Sequence, residues 1–260
     1  MSGRDTLLEV SGLGKTFGGL VAVSNFTADV PRGQIMGLIG PNGAGKTTLF
    51  NLISGVLKPS SGRVHFAGRD ITGFAPDAIC RLGIARTYQK IRLFHNLTVL
   101  DHARYSLIKT THYGLFDMVV GTPRYRREER QVTERAEWAL ENLGILHLKD
   151  QVASDLAYGQ QRRVSIARAL ALQPALLLLD EPTAGLNTQE ANEIAGLVSR
   201  LRDELELTIV LVEHNMRVIM AICENIVVLD KGEIICRGTP REVQEDPQVI
   251  EAYLGVATDV

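Results

Sequence analysis

The sequence predicts an α/β fold with a mainly parallel sheet, and two observations support this fold class. Short apolar runs typical of buried strands, such as Ile35–Ile39 and Leu176–Asp180, alternate with helical patterns, such as residues 47–57 and 190–205. A glycine-rich turn at residues 40–45 separates the first of these strands from its helix. Buried strands that alternate with helices predict a sheet covered by helices on both faces.

The amino-terminal part is predicted to form short strands. Residues 7–10, 21–23 and 26–30 are strand-like and are separated by Gly and Asn turns. After a break at 58–62, residues 63–66 return as a strand. We therefore expect an antiparallel β subdomain at this end of the chain.

A helical insertion is predicted next, because strand-like runs are scarce from about residue 72 to 164 and helical patterns such as 132–143 dominate. The α/β core then resumes with helices at 165–172, 190–205 and 216–221, strands at 176–180 and 208–213, and a hairpin at 226–229 and 233–237. We expect a single domain at 5–256, with a core at 5–88 and 165–256 and a helical subdomain at 89–164.

The composition is that of an ordinary globular protein. The 260 residues are 45% hydrophobic and carry a net charge of −2, which argues against a dedicated nucleic-acid binder. Cys80, Cys223 and Cys236 show no metal-type spacing and suit a reduced, cytoplasmic compartment. The amino end lacks the apolar core of a signal peptide, and the longest apolar runs have only strand length. We expect a soluble chain that meets a membrane only through a partner.

Residues 40–47 match the phosphate-loop pattern G-x-x-x-x-G-K-[ST], between a buried strand and a helix. This context predicts a P-loop NTPase core. Backbone N–H groups and the helix N-terminus hold phosphate oxygens, Lys46 reaches the β- and γ-phosphates, and the Thr47 hydroxyl holds Mg²⁺. The predicted nucleotide contacts in this loop are Asn42, Gly43, Ala44, Gly45, Lys46, Thr47 and Thr48.

Two acidic residues, Asp180 and Glu181, stand at the carboxyl end of the four-leucine strand. Ligands of open α/β sheets bind at such strand ends. Asp180 is predicted to steady Mg²⁺, and Glu181 to polarise the water that attacks the γ-phosphate. The alternative is an acidic turn that caps the next helix.

The segment 156–160, followed by the helix pattern 162–170, resembles the signature segment of ABC-transporter ATPases, and the resemblance extends over essentially the whole chain. It implies a RecA-like core and ATP as the nucleotide. It also implies roles for six side chains. Phe17 stacks on adenine, Gln89 is the Q-loop glutamine that reaches Mg²⁺ and faces a transmembrane partner, and Asp180 and Glu181 are the Walker B aspartate and catalytic glutamate. Asn187 ends the D-loop, where Asp is usual, and His214 contacts the γ-phosphate. Taken singly, Phe17 is typical of a packed aromatic residue and His214 of a polar strand end.

The signature segment departs from the family pattern Leu-Ser-Gly-Gly-Gln. It consists of Leu156, Ala157, Tyr158, Gly159 and Gln160. Ala157 lacks the hydroxyl expected to touch the γ-phosphate, and a lost hydrogen bond to a charged group costs ~1.5–3 kcal/mol. We expect this half-site to bind ATP less tightly than a standard one.

The Ala-Tyr variant is similar to one of the two ATPases of branched-chain (hydrophobic) amino-acid importers, as are residues 87–94 and 246–255. Relatives that serve amides, urea, other small solutes or lipid export remain alternatives. The resemblance implies integral-membrane permease subunits, a second ATPase subunit (self or sibling) in a nucleotide-sandwich dimer, and, indirectly, a periplasmic or extracellular solute-binding protein. It places the chain at the cytoplasmic face of the inner membrane and implies no nucleic-acid partner.

Two other classes compete with a transport ATPase. A soluble ABC ATPase of DNA repair or translation usually has two nucleotide domains or a long insertion, which this chain lacks. A regulator that does not hydrolyse ATP fits the degenerate signature but not the intact Glu181 and His214.

Residues 121–135 hold five Arg and three Glu, a net of +2, which predicts a solvated helix start. Contact of this stretch with a membrane partner or anionic headgroups is the alternative.

Overall fold

The computed structural model describes residues 5–108, 111 and 113–254. These residues form two compact units, the first drawn from 1–86 and 175–260 and the second from 87–174. The functional boundaries between a nucleotide-binding core and a helical subdomain stay a prediction.

The first unit contains ten strands in two sheets. The strands are β1 Thr6–Phe17, β2 Leu20–Pro31, β3 Ile35–Ile39, β4 Ser61–Phe66, β5 Arg69–Asp70, β6 Ile84–Arg86, β7 Leu176–Asp180, β8 Thr208–Val212, β9 Asn225–Asp230 and β10 Glu233–Gly238. One sheet is antiparallel, with the order β2-β1-β4-β5. The other has the order β10-β9-β3-β8-β7-β6, and all its pairs are parallel except β9 with β10. The predicted fold class and the closing hairpin are confirmed.

In the part of the chain that the structure describes, ten α-helices connect or flank these strands. Six belong to the first unit: α1 Lys46–Ile53, α2 Pro76–Arg81, α7 Thr188–Leu205, α8 Met216–Ile222, α9 Pro240–Glu245 and α10 Pro247–Leu254. Four belong to the second: α3 Val99–Leu107, α4 Leu115–Val120, α5 Pro123–Asn142 and α6 Tyr158–Leu170. Short 3₁₀ turns lie at Leu146–Leu148 and Ala153–Asp155. Among the described residues, none of the helices has both the length and the apolar character needed to span a bilayer.

Several predicted element bounds were wrong, including the following three. Residues 21–23 and 26–30 belong to one strand, β2, which is irregular at Asn25, where φ is 48° and the pairing with β1 shifts register. The strand β6 lies inside the stretch predicted as helical, because three residues are too few to show a periodic pattern. The helix predicted at 47–57 ends at Ile53.

The core of the first unit lies between the two sheets and α1. Every residue of β7 is buried, and Leu49 and Phe50 of α1 are at most 1% exposed. Apolar burial on this scale is the main stabilising term, at about 25 cal/mol per Å². A parallel strand covered on both faces explains why 176–179 is a run of four leucines.

Strand order brings the predicted site residues to one edge of the parallel sheet. β8 lies between β3 and β7. The phosphate loop follows β3, Glu181 follows β7, and His214 follows β8 by two residues. Since parallel strands end at the same edge, these three segments are neighbours in the first unit.

The second unit is built on α3, α5 and α6, which contribute buried residues such as Ala103, Ala136 and Val164. Helix α5 begins after Thr122, whose side chain accepts a hydrogen bond from the Tyr125 N–H, and Pro123 occupies its first turn, as predicted. Its five arginines, at 124, 126, 127, 130 and 135, are exposed, which confirms the solvated helix start.

Candidate functional site

The phosphate loop, residues 40–47, depends on glycine at two close approaches. Gly40 has φ 148°, and a Cβ there would lie 2.0 Å from the Leu229 carbonyl oxygen. Gly45 has φ 101°, and a Cβ there would lie 2.5 Å from the Ala22 carbonyl oxygen. The chain around the loop therefore leaves no room for side chains at these positions.

Lys46 is 6% exposed and lies inside the loop that precedes it. Its Nζ donates to the carbonyl oxygens of Gly40 and Pro41, at 2.6 and 2.8 Å. Burial lowers the pKa of Lys46, while the negative charges of Glu181 and Asp180 partly oppose this shift. The loop thus surrounds a buried cation whose hydrogen-bond acceptors in the structure are neutral carbonyls.

This arrangement fits a phosphate chain. Gly43 has φ 81° and open space where a Cβ would stand, so the backbone there is accessible to a ligand. An anion meets the buried Lys46 charge and the amino end of α1 together. Thr47 is exposed beside Lys46 and supplies a hydroxyl of the kind that binds Mg²⁺. Among the described residues, no group of three or more His, Cys, Asp or Glu side chains is arranged to hold a metal ion.

Asp180, at the end of β7, is held by Arg86, at the end of β6. Arg86 Nη2 donates to Asp180 Oδ2 at 2.8 Å, and both side chains are 6% exposed. The other terminal nitrogen of Arg86 donates to Asn51 Oδ1 at 2.7 Å and to Ser54 Oγ at 3.1 Å, and its guanidinium lies 5.4 Å from the centre of the Phe50 ring. The pair therefore joins the strand end to α1 and the turn that follows it.

Glu181 and His214 face each other across the sheet edge, with 2.7 Å between Glu181 Oε1 and His214 Nε2. Glu181 has φ 47°, a left-handed conformation that costs about 1 kcal/mol or more in a residue with a side chain. Its N–H donates to the Val212 carbonyl oxygen at 2.9 Å, which anchors this conformation to β8. A carboxylate that is carried by a strained backbone and lies beside an imidazole is suitably arranged for moving a proton.

Phe17 ends β1 with a ring that is 43% exposed. Lys15 Nζ lies 5.1 Å from the centre of this ring. The ring is therefore accessible for stacking, as its predicted contact with adenine requires.

The signature segment begins α6, in the second unit. Leu156 is buried, Ala157 is the N-cap residue, and the Ala157 N–H donates to Gln160 Oε1 at 3.3 Å. Tyr158 is the first helical residue, and its hydroxyl accepts a hydrogen bond of 3.0 Å from Arg162 Nη2. A tyrosine fits where the family has glycine because its φ is not positive, and its hydroxyl contacts a residue one turn further along the same helix.

Arg162 also connects the signature helix to the predicted Q-loop. It is 2% exposed, and its Nη1 donates to the Gln89 carbonyl oxygen at 3.0 Å. The side chain of Gln89 is exposed. Within the second unit, one buried arginine thus contacts both Tyr158 and Gln89.

Asn187, the departure in the predicted D-loop, caps α7. Its Oδ1 accepts from the Glu190 N–H and its own N–H donates to Glu190 Oε2, both at 3.0 Å. This reciprocal capping box explains why an amide serves at this position.

The structure brings the phosphate loop, Asp180, Glu181 and His214 together in the first unit, whereas Gln89 and residues 156–160 belong to the second. Two residues of the site were not predicted from the sequence: Arg86, which binds Asp180, and Glu213, which precedes His214 and is 2% exposed. Each of these residues is a charged residue at the end of an apolar run. Because a charged residue is rarely buried unless it is paired, this pattern could have predicted a buried ion pair or hydrogen-bonded charge at both positions.

Comparison with known proteins gives consistent similarities. The family described as ABC transporter matches residues 23–184, and the family described as Branched-chain amino acid ATP-binding cassette transporter matches residues 233–259. The high-affinity branched-chain amino acid transport ATP-binding protein LivG of Salmonella typhimurium is 43% identical over 96% of this chain and 98% of its own length. BraF of Pseudomonas aeruginosa, which carries the same description, is 40% identical over 96% of this chain and 98% of its own length. The ADP conformation of the ATP-binding cassette MJ1267 superimposes with a TM-score of 0.84 and 32% identity, over 96% of this chain and 99% of that one.

Proposed function

Because the chain belongs to the ABC transporter family of ATP-binding subunits, we propose that it hydrolyses ATP to power the uptake of branched-chain and other hydrophobic amino acids through separate membrane subunits. The observation that carries the solute assignment is the full-length similarity to LivG and BraF together with the match at residues 233–259. The solute itself does not contact this chain in this proposal, so the assignment depends on the family and not on a pocket.

ATP is bound, in this proposal, by Phe17 on adenine and by residues 42–48 on the phosphates. Buried Lys46 exchanges its two carbonyl partners for phosphate oxygens, which bind a cation more strongly than neutral acceptors do. Thr47, Asp180 and Gln89 are the proposed magnesium ligands, direct or through water. Bound Mg²⁺ neutralises phosphate charge.

Glu181 is the proposed general base. Its carboxylate accepts the proton of the attacking water, and His214, 2.7 Å from it, fixes its orientation and reaches the γ-phosphate. Arg86 pairs with Asp180, whereas His214 contacts Glu181. Positioning of this kind is what phosphoryl transfer requires of a protein.

The working form in this proposal is a dimer, with itself or with a sibling subunit. The phosphate loop of one subunit and the signature segment 156–160 of the other enclose one ATP. The α/β core would be residues 5–88 and 165–256, and the helical subdomain 89–164. The dimer binds permease subunits at the cytoplasmic face of the inner membrane, and a solute-binding protein delivers the solute from the other side. Since Ala157 lacks a hydroxyl, we expect weaker binding of the partner's nucleotide.

The test is uptake by the complete transporter. The chain, its permeases, its sibling ATPase and its solute-binding protein are reconstituted in proteoliposomes with MgATP on the cytoplasmic side. We expect labelled leucine to accumulate with ATP, and labelled urea or a short amide not to accumulate. Accumulation of urea or amide with no leucine transport would replace the solute assignment and leave the ATPase role intact.

The phosphate loop has its own test. Lys46→Ala should weaken ATP binding by about 10- to 150-fold, since a charged hydrogen bond contributes ~1.5–3 kcal/mol. Lys58→Ala, a change outside the loop, should leave the affinity unchanged. Equal affinity of wild type and Lys46→Ala in a titration with ATP would overturn the proposed role of the loop.

A further inference from the structure

One buried carboxylate, Glu213, bridges the two segments that carry Glu181 and His214. It follows β8 directly and is 2% exposed. Its Oε1 accepts from the Thr183 N–H at 2.7 Å and from the Thr183 hydroxyl at 2.6 Å. Its Oε2 accepts from the N–H groups of His214 and Asn215, at 3.1 and 3.4 Å.

All four of these groups donate a hydrogen bond to the Glu213 carboxylate. A carboxylate is the one side-chain group of this size that only accepts, so it satisfies donors on both oxygens at once. Burying it unpaired would cost several kcal/mol, and its donors offset that cost. A glutamine here would turn its NH₂ group toward at least one backbone N–H, whichever way the amide is oriented.

The two ends of this bridge lie beside the catalytic pair. Thr183 stands two residues after Glu181, and His214 follows Glu213 directly. The Glu181 N–H is already anchored to Val212, the residue before Glu213. The loop after β7 and the loop after β8 are therefore joined by a backbone hydrogen bond on one side of the pair and by the Glu213 carboxylate on the other.

We propose that Glu213 is a positioning residue for ATP hydrolysis, whose carboxylate sets the distance between Glu181 and His214. This inference rests on the catalytic roles proposed above for Glu181 and His214. The hydrogen bonds described for Glu213 go to Thr183, His214 and Asn215. It acts by holding the backbone on which both side chains stand.

The hydrogen bonds of Glu213 predict the effects of substitutions at Glu213 and Thr183. Glu213→Gln loses acceptors at one oxygen and should lower kcat by about 10- to 100-fold, since a displacement near 1 Å costs on this order. KM for ATP should stay within about twofold, because the phosphate loop is untouched. Thr183→Val loses only the hydroxyl donor and should lower kcat by about three- to tenfold, whereas Thr183→Ser, which keeps the hydroxyl, should restore it.

Glu224→Gln is the matched control. Glu224 also accepts a backbone hydrogen bond, from the Ile35 N–H at 2.6 Å, and contacts Arg202, but it lies at the opposite, amino-terminal edge of the same sheet. Its variant should lose stability and keep kcat per folded molecule. The folded fraction of each full-length variant is measured by circular dichroism, and turnover by phosphate release at saturating MgATP.

A double-mutant cycle with His214→Ala separates positioning from general damage. If Glu213 acts through the pair, then Glu213→Gln lowers kcat in the wild type and adds no further loss in the His214→Ala background. Equal kcat for wild type and both Glu213→Gln and Thr183→Val, or the same fold-loss in both backgrounds, would overturn the inference while leaving the proposed function standing. Wild-type turnover in Glu181→Gln and His214→Ala would overturn the proposed roles and the inference together.

Discussion

The hydroxyl of Tyr158 accepts a hydrogen bond of 3.0 Å from Arg162, one turn further along helix α6. Arg162 also donates to the Gln89 carbonyl oxygen, and its guanidinium lies 5.6 Å from the centre of the Tyr158 ring. The tyrosine that replaces the usual glycine of the signature is thus integrated into a buried contact with the predicted Q-loop. The Tyr158 side chain is therefore more than tolerated at this place in the second unit, because its hydroxyl accepts a hydrogen bond from a buried arginine.

Replacing Tyr158 by phenylalanine removes one acceptor of the buried Arg162 and leaves the ring contact. Since the Gln89 carbonyl still accepts, we expect a loss of about 0.5–1.5 kcal/mol in the free energy of unfolding, measured by urea titration. Tyr105→Phe, a change at a tyrosine of α3 with similar exposure, should alter stability by less than about 0.5 kcal/mol. Equal effects of the two substitutions would contradict a stabilising role for the Tyr158 hydroxyl.

The buried pair of Arg86 and Asp180 gives a larger expected effect. Arg86→Ala leaves the Asp180 carboxylate buried without its guanidinium, and breaking a buried pair on one side costs about 3–5 kcal/mol. Arg32→Ala is the matched control, because its ion pair with Asp5 has the same chemistry on the surface, where Asp5 is 77% exposed. Surface pairs contribute about 0–1 kcal/mol.

Thermal and urea unfolding of both variants measure the difference. A loss for Arg86→Ala no larger than that for Arg32→Ala would show that the Arg86–Asp180 pair does not stabilise this end of the sheet. The two substitutions remove the same side chain, so their difference measures what the buried contacts of Arg86, with Asp180, Asn51, Ser54 and Phe50, add to those of a surface pair.

The local parts of the site could be predicted from the sequence, and the tertiary contacts could not. Residues 40–47 and the strand ends at Asp180 and Glu181 have local patterns, and parallel strands bring such ends together whatever the connections between them. Arg86 binds a residue 94 positions away, from a strand of three residues that has no periodicity. The two hydrogen bonds that Glu213 accepts from Thr183 depend in the same way on two loops that meet only in the folded chain.

The antiparallel sheet also contains a feature that depends on tertiary contacts and could not be predicted from local sequence. Asn25 suggested a turn between two short strands, because Asn is common in turns. In the structure it adopts φ 48° inside the continuous strand β2, opposite a register shift in β1. A bulge and a turn use the same local conformation, and only the partner strand distinguishes them.

Lys46 predicts a pH dependence of stability. Burial lowers its pKa from the ordinary value of 10.5, so between the lowered pKa and 10.5 the unfolded chain binds more protons than the folded one. The stability contribution of Lys46 therefore becomes more favourable as pH rises through that window. Without nucleotide, the free energy of unfolding of wild type relative to Lys46→Met should increase as the pH rises towards 10.5.

Urea titrations at each pH measure this difference, and the Met variant cancels the other groups that titrate in alkaline solution. Lys58→Met, a change outside the phosphate loop, supplies the control for the removal of an exposed lysine. A Lys46 difference that decreases with rising pH would mean that the nearby carboxylates outweigh burial and that the charged form is favoured in the folded state.

Glu181→Gln tests the proposed base directly. The amide keeps the shape of the side chain and its contact with His214, but it does not accept a proton from water, so turnover should fall by at least ~10²-fold. ATP binding should persist, because Lys46 and the phosphate loop are unchanged. Bound ATP that is not hydrolysed should then accumulate in a dimer, seen by light scattering after size-exclusion chromatography in MgATP.

Glu9→Gln, at an exposed position of β1, should hydrolyse ATP at the wild-type rate and show no such dimer. Equal turnover in wild type and Glu181→Gln would remove Glu181 as the base. Loss of turnover together with loss of ATP binding would mean that the substitution disturbed the nucleotide site and not the proton transfer.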